Sequence, residues 1–322
     1  MKNKLVFLLI FILCILNPSF SQKNKSDFKV VGYYSMRSAM EGYKKFPFKR
    51  VTHVNLFFLN PDSVGNYTQD FAPLKSFVKS AHKKGIKVLF SIGGGSKHPY
   101  YHRLLQDDMR GALVKKLIEL VNLHNLDGID NDLEGSDIDE NYEKFVVELG
   151  TELKEQNKLL TAAVVVNDPD PFTNKALAQY DFVNIMSYDH TGPWRPEKPG
   201  PHSSYEDAIN DLDYFGNKRG ISSEKMILGV PFYGYGFGPD LTSKAKTMNY
   251  KQIIETYPGT EIIDEMPIED GKIMYYNGMP TIAKKTELAM QRAGGIMIWQ
   301  LGGDAKGKKS LLKVINETAY KK

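Results

Sequence analysis

The feature that most constrains the fold of this chain is a regular alternation of short apolar runs with amphipathic stretches. Near-continuous apolar runs are typical of strands buried on both faces of a parallel sheet, and amphipathic stretches are typical of the helices that cover such a sheet. The pattern predicts helices over residues 71–84, 110–125, 142–156 and 281–292. It predicts strands over residues 28–33, 53–59, 87–91, 128–132, 159–166, 182–188, 226–231 and 295–300.

Eight such units in about 300 residues predict an α/β fold of the (β/α)8 barrel type. An open doubly wound sheet is the alternative, and it is disfavoured because no Gly-x-Gly-x-x-Gly sequence follows the first predicted strand.

The stretch between the seventh and eighth predicted strands is too long for an ordinary loop. It predicts a small insertion at the rim of the barrel, near residues 235–278, although a plain surface excursion is an alternative. Within it, residues 249–257 are helix-like, whereas 260–263 and 272–276 are strand-like.

The first residues predict where the protein goes. Two lysines precede an apolar run over residues 5–16, and small polar residues follow it. This pattern predicts a signal peptide over residues 1–21, cut after Ser21, so we expect a secreted or periplasmic protein whose single domain spans 22–322. An uncleaved membrane anchor is the weaker alternative, because the run is shorter than the roughly 20 residues of a membrane-spanning helix.

Composition narrows the classes of function. The single cysteine, Cys14, lies in the predicted signal peptide, so we expect neither a disulfide nor a structural cysteine–metal site in the mature chain. With 42 basic and 38 acidic residues, the formal net charge is +4, which gives no electrostatic footprint for nucleic acid. We therefore expect a neutral substrate, no nucleic-acid partner and no membrane insertion after cleavage. Nothing in the sequence indicates a metal or an organic cofactor.

Three carboxylates stand out at the end of the fourth predicted strand. Asp130, Asp132 and Glu134 occupy alternate positions, so their side chains point to one face of the sheet. Like charges at close range raise at least one pKa, which keeps a carboxylic acid protonated near neutral pH and able to donate a proton. Catalytic groups of a (β/α)8 barrel lie at the C-terminal ends of its strands. We therefore expect these carboxylates to be catalytic.

Two other interpretations of the carboxylates are open. A solvated acidic loop is supported by further acidic residues downstream, and the start of the motif resembles an EF-hand calcium loop. The EF-hand requires an apolar residue at its eighth position and a glutamate at its twelfth, where this chain has Asp137 and Asn141. Calcium binding is therefore disfavoured.

The segment from Asp127 to Glu134, with its Asp-x-x-Asp-x-Asp-x-Glu pattern, resembles the signature of glycoside hydrolase family 18. That family contains chitinases and endo-β-N-acetylglucosaminidases. Further segments resemble other family motifs in the family's order and span nearly the whole predicted mature chain. They are residues 91–94, residues 186–189 continuing to Gly192 and Trp194, residues 229–234 and residues 295–299.

The resemblance implies a role for each matching residue. Glu134 matches the proton donor to the glycosidic oxygen, and Asp132 matches the residue that orients the 2-acetamido group of the substrate. Asp130 matches a residue that shares a proton with Asp132, and Tyr188 matches a hydroxyl donor to the acetamido oxygen. The family uses the acetamide of the substrate as its nucleophile. The positions that match the lining of the sugar subsite are Met186, Asp189 and Trp299.

Some of these positions have structural alternatives. Trp299 and Tyr188 could be core residues, and Trp194 could either stack on a sugar or hold its own loop in place. Leu133 stands where the family usually has an aromatic residue, and we expect altered packing there, because this side chain faces away from the carboxylates. Asn131 also replaces a residue that is commonly apolar.

The leading hypothesis is a retaining enzyme that cleaves β-1,4 bonds after N-acetylglucosamine in chitin or its oligomers. The short insertion favours an open cleft and endo-type cleavage. Alternatives are an endo-β-N-acetylglucosaminidase acting on N-linked glycans and an enzyme acting on peptidoglycan. A non-catalytic chitin- or glycan-binding protein is disfavoured, because all three carboxylates are present.

Overall fold

The computed structural model describes residues 27–166, 170–240 and 244–320, so the predicted signal peptide lies outside the described residues. Eight parallel strands form a closed barrel. They are β1 (Lys29–Ser35), β2 (His53–Phe57), β3 (Lys87–Gly93), β4 (Gly128–Asp132), β5 (Leu159–Val164), β6 (Phe182–Ile185), β7 (Met226–Pro231) and β12 (Gly295–Trp299). Around the barrel their order is β1-β12-β7-β6-β5-β4-β3-β2. Each predicted strand is one of these eight, which confirms the (β/α)8 barrel; the open doubly wound sheet is wrong.

The largest error in strand length concerns β6, which ends at Ile185 rather than at residue 188. The backbone N–H of Ser187 donates to the carbonyl of Ile185 at 2.9 Å, so the chain turns there instead of continuing along the sheet.

Helices surround the barrel, and apolar residues on one face of each account for their packing. In α5, for example, Phe145, Leu149 and Leu153 recur every four residues and are fully buried. The helices are α1 (Met36–Glu41), α2 (Leu74–His82), α3 (Tyr100–Leu104), α4 (Arg110–Leu123), α5 (Tyr142–Glu155), α6 (Asn174–Leu177), α7 (Tyr205–Asp213), α8 (Tyr250–Thr256), α9 (Met279–Arg292) and α10 (Leu311–Tyr320). The four predicted helices correspond to α2, α4, α5 and α9. None of the helices in the described ranges is long and apolar enough to cross a membrane.

Between the seventh and eighth barrel strands the chain forms a four-stranded antiparallel sheet with the order β10-β11-β8-β9. Its strands are β8 (Tyr233–Phe237), β9 (Lys246–Asn249), β10 (Glu265–Pro267) and β11 (Ile273–Tyr275). This sheet and α8 confirm the predicted insertion, so the interpretation as a plain surface excursion is wrong.

One element inside the insertion differs from its prediction. Residues 260–263 were expected to be strand-like, but Thr260–Ile262 is a 3-10 helix. Its β-branched residues favour a strand, yet local hydrogen bonds close a turn instead. The hydroxyl of Thr260 donates to the carbonyl of Tyr257 at 2.7 Å, and Gly259 precedes the turn with φ +92°.

The strand register decides which side chains fill the barrel. Ser91, Asp130 and Thr161 are register partners on β3, β4 and β5, so they point to the same side of the sheet. All three are fully buried. The residues that alternate with them along each strand, such as Ile129 on β4, point outward and belong to the apolar core that the outer helices cover. The barrel interior is therefore partly polar at β4, which carries the acidic motif, and at its neighbours β3 and β5.

Candidate active site

The three predicted carboxylates come from β4 and from the residue that follows Leu133. Asp130 and Asp132 are 0% and 3% exposed, and Glu134 is half-buried. A solvated acidic loop does not fit two buried carboxylates, so that interpretation is wrong. Leu133 is fully buried in the outer core, as expected for a side chain on the opposite face.

Asp130 is held by donors from four different strands. Its Oδ2 accepts from the hydroxyls of Tyr33 at 2.6 Å and Ser91 at 2.8 Å. Its Oδ1 accepts from the hydroxyl of Thr161 at 2.6 Å and the amide of Asn184 at 3.1 Å. Burial raises the pKa of Asp130, whereas these four hydrogen bonds act to lower it. Sequence reasoning missed this set of donors, apart from the serine in the 91–94 motif.

Asp132 has a different environment. Its Oδ1 is buried, and no group in the described ranges donates a hydrogen bond to it. Burial, followed by the negative charges of Glu134 and Asp130, raises the pKa of Asp132 well above its usual range. Both oxygens of Asp130 thus have donors, whereas Oδ1 of Asp132 has none among the described residues. Proton sharing between the two stays a prediction.

Glu134 has the pKa of a carboxylic acid prepared to donate a proton near neutral pH. Burial raises the pKa of Glu134 to about 7, and the charges of Asp189 and Asp137 contribute in the same direction. Asp137 is itself buried and is held 3.1 Å from Nδ1 of His98. The two carboxyls are close because a 3-10 turn joins them, in which the backbone N–H of Asp137 donates to the carbonyl of Glu134 at 3.0 Å.

The glycines of the 91–94 motif allow β3 to come close to the end of β4. Gly93 has φ +90°, and a Cβ there would lie 2.4 Å from the carbonyl oxygen of Asp132. The N–H of Gly94 donates to that same oxygen at 2.7 Å. Only glycine fits such an approach, so these residues shape the site without bringing chemistry of their own.

Tyr188 and Asp189 follow β6 at the same end of the barrel. Tyr188 is 6% exposed, and its hydroxyl lies 3.8 Å from Sδ of Met297. Burial raises the pKa of Tyr188 well above its usual range, so the hydroxyl keeps its proton and can donate. Asp189 accepts from the hydroxyl of Tyr233 at 2.6 Å and lies 3.2 Å from Nδ1 of His202. Tyr233 belongs to the insertion and was not identified from the sequence.

The aromatic residues occupy two positions around the site. Trp299 is half-buried, with ring centroids 4.9 Å from Phe57 and 5.8 Å from Phe58. Trp194 is 59% exposed and meets Tyr235 of the insertion edge to face at 5.9 Å. Neither tryptophan is a fully buried core residue, so both retain ring surface for a ligand. Met186 is half-buried and packs in the same apolar cluster as Trp299.

A cavity of about 500 Å³ lies beside the Trp299 group of aromatic residues. Phe57 and Phe58 line it together with Ser35, Arg37 and Asp70. Most of the lining residues are polar or charged, and none of them is a predicted site residue. A groove of about 1060 Å³ lies outside the barrel between α2 and α4 and contains none of the predicted site residues.

Among the described residues, one group of three could hold a metal ion. His102, Asp139 and Glu140 offer ligand atoms within 4.8 Å of one another on the surface. A hydrogen bond of 2.5 Å between His102 and Asp139 already accounts for their proximity. Asp130 and Asp132 are not in this group, so the arrangement does not support the EF-hand interpretation.

Comparison with known proteins points to one family. The family model of glycosyl hydrolases family 18 matches residues 29–304. A solved GH18 chitinase from the chitin utilization locus of Flavobacterium johnsoniae is 38% identical, with a TM-score of 0.81. That alignment covers 91% of this chain and 94% of the Flavobacterium chain.

Two curated relatives are more distant. A chitinase-like effector of Moniliophthora roreri is 28% identical over 231 residues, which are 61% of this chain and 57% of the effector. Probable chitinase 2 of Drosophila melanogaster is 26% identical over 274 residues, which are 68% of this chain and 56% of the fly protein. The chain thus spans little more than half the length of these two relatives. The match over most of the chain shows that it belongs to glycosyl hydrolase family 18.

Proposed function

We propose that this protein is a retaining chitinase that cleaves β-1,4 bonds after N-acetylglucosamine, with the acetamide of the substrate as nucleophile. The observation that carries the proposal is the pairing of two carboxyls with different surroundings. Glu134 is half-buried with a pKa of about 7, and Asp132 is buried beside it with a raised pKa. Glu134 is assigned as the acid because it is the more accessible carboxyl, and the buried Asp132 is assigned as the group that stabilises positive charge.

In the first step, Glu134 donates its proton to the glycosidic oxygen. The carbonyl oxygen of the acetamide attacks C1 as the bond from C1 to the leaving oxygen breaks, and the leaving sugar departs as an alcohol. The cyclised intermediate carries positive charge at nitrogen. Asp132, with its proton shared toward Asp130, accepts a hydrogen bond from that N–H and stabilises the charge.

In the second step, Glu134 is a carboxylate and takes a proton from water. The resulting hydroxide attacks C1 from the side that the leaving sugar vacated. The bond between C1 and the acetamide oxygen breaks, which opens the five-membered ring of the intermediate and restores the acetamide. Two inversions at C1 give net retention. The protonated hydroxyl of Tyr188 is assigned to the acetamide oxygen, which it orients for attack.

The sugar at the cleavage point is assigned to Trp299, Met186 and Asp189. Trp299 offers an aromatic face, on which the apolar face of a pyranose packs. Trp194, exposed beside the insertion, is assigned to a sugar further along the polymer. The similarity to a chitinase from a chitin utilization locus supports chitin as the substrate. The predicted signal peptide is consistent with this substrate, because an insoluble polymer is hydrolysed outside the cell.

The same catalytic groups would serve an endo-β-N-acetylglucosaminidase, so the leaving group decides between the two activities. The test is a side-by-side assay of the purified protein on chitin hexasaccharide and on a high-mannose glycoprotein. We expect cleavage of the hexasaccharide and no release of glycan. If glycan were released while the hexasaccharide stayed intact, the substrate would be N-linked glycans and not chitin.

A variant of the proposed acid belongs in the same assay. Glu134→Gln should reduce hydrolysis of the hexasaccharide by at least about 100-fold, while binding persists, because the change removes only the transferable proton. Glu140→Gln, on the exposed part of the following loop, is the matched control. Binding without turnover by the unmodified protein would favour a non-catalytic chitin-binding protein.

A further inference from the structure

Lys285 is a buried lysine that the proposed mechanism does not use. It lies on α9, which packs against β7, β12 and α7, and its side chain is fully buried. Its ammonium donates to the carbonyl of Ser203 at 2.8 Å, to the hydroxyl of Ser203 at 2.7 Å and to Oδ1 of Asn277 at 2.9 Å. An ammonium has three donors, and here each has an acceptor. Burying an ammonium costs free energy even when all its donors are satisfied, so we asked which part of the protein these three hydrogen bonds hold in place.

One acceptor of Lys285, Ser203, contacts the residue that precedes Tyr188 and Asp189. The hydroxyl of Ser203 donates to the carbonyl of Ser187 at 2.6 Å, and Ser187 precedes Tyr188. Two contacts of His202 extend the connection. The N–H of His190 donates to the carbonyl of His202 at 3.1 Å, and Nδ1 of His202 lies 3.2 Å from Oδ1 of Asp189. Residues 202–203 are therefore fastened to residues 187–190 at three points.

The lysine decides which groups donate and which accept in these hydrogen bonds. Burial lowers the pKa of Lys285 to about 7, so the side chain is an ammonium below that pH. An ammonium cannot accept a hydrogen bond, so in this form the hydroxyl of Ser203 accepts from Lys285 and points its own proton at the carbonyl of Ser187. The same constraint orients Asn277, whose Oδ1 accepts from Lys285 while its Nδ2 donates to the carbonyl of Ser203 at 2.8 Å. A neutral side chain of the same length would leave both orientations free.

We propose that Lys285 is a positioning residue, which holds Tyr188 and Asp189 in place through Ser203 and His202. The inference rests on the proposed function, because the proposed function assigns Tyr188 and Asp189 to the substrate. Lys285 itself touches no substrate. Its effect belongs to the transition state, in which the acetamide oxygen must meet the hydroxyl of Tyr188. A misplacement of about 1 Å at such a contact costs about 100-fold in rate.

The test compares Lys285→Met, which keeps the length and removes the donors, with Lys284→Met, an exposed neighbour on the same helix. On chitin hexasaccharide we expect Lys285→Met to lower kcat by about 10- to 100-fold, with KM changed by less than about threefold. Lys284→Met should match the unmodified protein. Ser203→Ala breaks the same connection with a smaller change, and the double variant should lose no more than the larger single loss.

Hydrogen exchange gives a readout that does not depend on turnover. In Lys285→Met and in Ser203→Ala, the amides of residues 187–190 should exchange faster than in Lys284→Met. Unchanged exchange together with unchanged kcat in Lys285→Met, or additive losses in the double variant, would overturn the inference. If the unmodified protein cleaves nothing, the proposed function fails, and exchange alone decides whether Lys285 positions this segment. If Lys285→Met does not fold, Ser203→Ala decides by the same two measurements.

Discussion

Among single residues, Glu134 shows most clearly how the surroundings set the chemistry. It must be protonated to donate to a leaving oxygen, so the proposed reaction requires a pH below its pKa of about 7. Asp189 and Asp137 both contribute to that value. Asp137 is the better charge to remove, because it is buried, pairs with His98 and, unlike Asp189, is not assigned to the sugar.

We expect kcat/KM on chitin hexasaccharide to fall as the pH rises through about 7. Asp137→Asn removes a negative charge, which lowers the pKa of Glu134, so the alkaline limb should move to lower pH by up to about one pH unit. The pH profile of kcat/KM measures this movement. Asp139→Asn, two residues further along, is the control and should leave the limb in place. A limb that stays or moves to higher pH in Asp137→Asn would contradict this explanation of the acid.

The sequence predicts the carboxylates but not their partners, for a physical reason. Alternation along one strand places Asp130, Asp132 and Glu134 on one face, and that is a local property. The donors to Asp130 come from β1, β3, β5 and β6, and no local pattern joins them. Thr161 does leave a signal, because it is the one polar residue in the predicted strand over 159–166. Asn184 leaves a weaker one, because Ser187 is also polar in the predicted strand over 182–188.

At the level of elements, the outer face of β4 explains a departure from the family pattern. Asn131 faces the helices, where an apolar residue is common, and its Nδ2 donates to the hydroxyls of Tyr142 at 3.2 Å and Tyr180 at 3.1 Å. The two hydroxyls also bond to each other at 2.8 Å. All three residues are buried, so the polar atoms satisfy one another between the strand and its covering helix.

Removing one member of this group should cost stability. Tyr180→Phe deletes a buried hydroxyl that bonds to both Asn131 and Tyr142, and we expect the free energy of unfolding to fall by about 1–2 kcal/mol. Urea denaturation measures the loss. Tyr205→Phe on α7, which removes the same atom from a half-buried side chain, is the control and should cost less. Equal losses in the two variants would contradict a structural role for the group around Asn131.

Periodicity predicts the longest helices well, but it misses α7, α10 and the shortest helices. A helix such as α5 repeats its apolar spacing over several turns, so its bounds are nearly those expected. α1, α3 and α6 have four to six residues each, too few for a period to emerge. The turn at Thr260–Ile262 was mistaken for a strand, because β-branching is a weaker determinant than the hydrogen bonds that close the turn.

For the molecule as a whole, the insertion contacts two of the predicted site residues. Its first strand, β8, follows β7 after a single residue, and this places Tyr233 against Asp189 and Tyr235 against Trp194. The sequence predicts that an insertion exists, but it does not predict that contact, which depends on the angle at which the small sheet leaves the barrel. Aromatic residues thus border the site at the insertion and again at Trp299.

The central claim is that the acetamide of the substrate is the nucleophile, with Glu134 as the acid. The most direct test offers the unmodified protein two oligosaccharides of equal length, chitin hexasaccharide and its fully deacetylated counterpart, at a pH below about 7. Both carry the same glycosidic bonds, and only the first has acetamide oxygens to attack C1. We expect cleavage of the acetylated oligomer and none of the deacetylated one. Equal rates on both would contradict it.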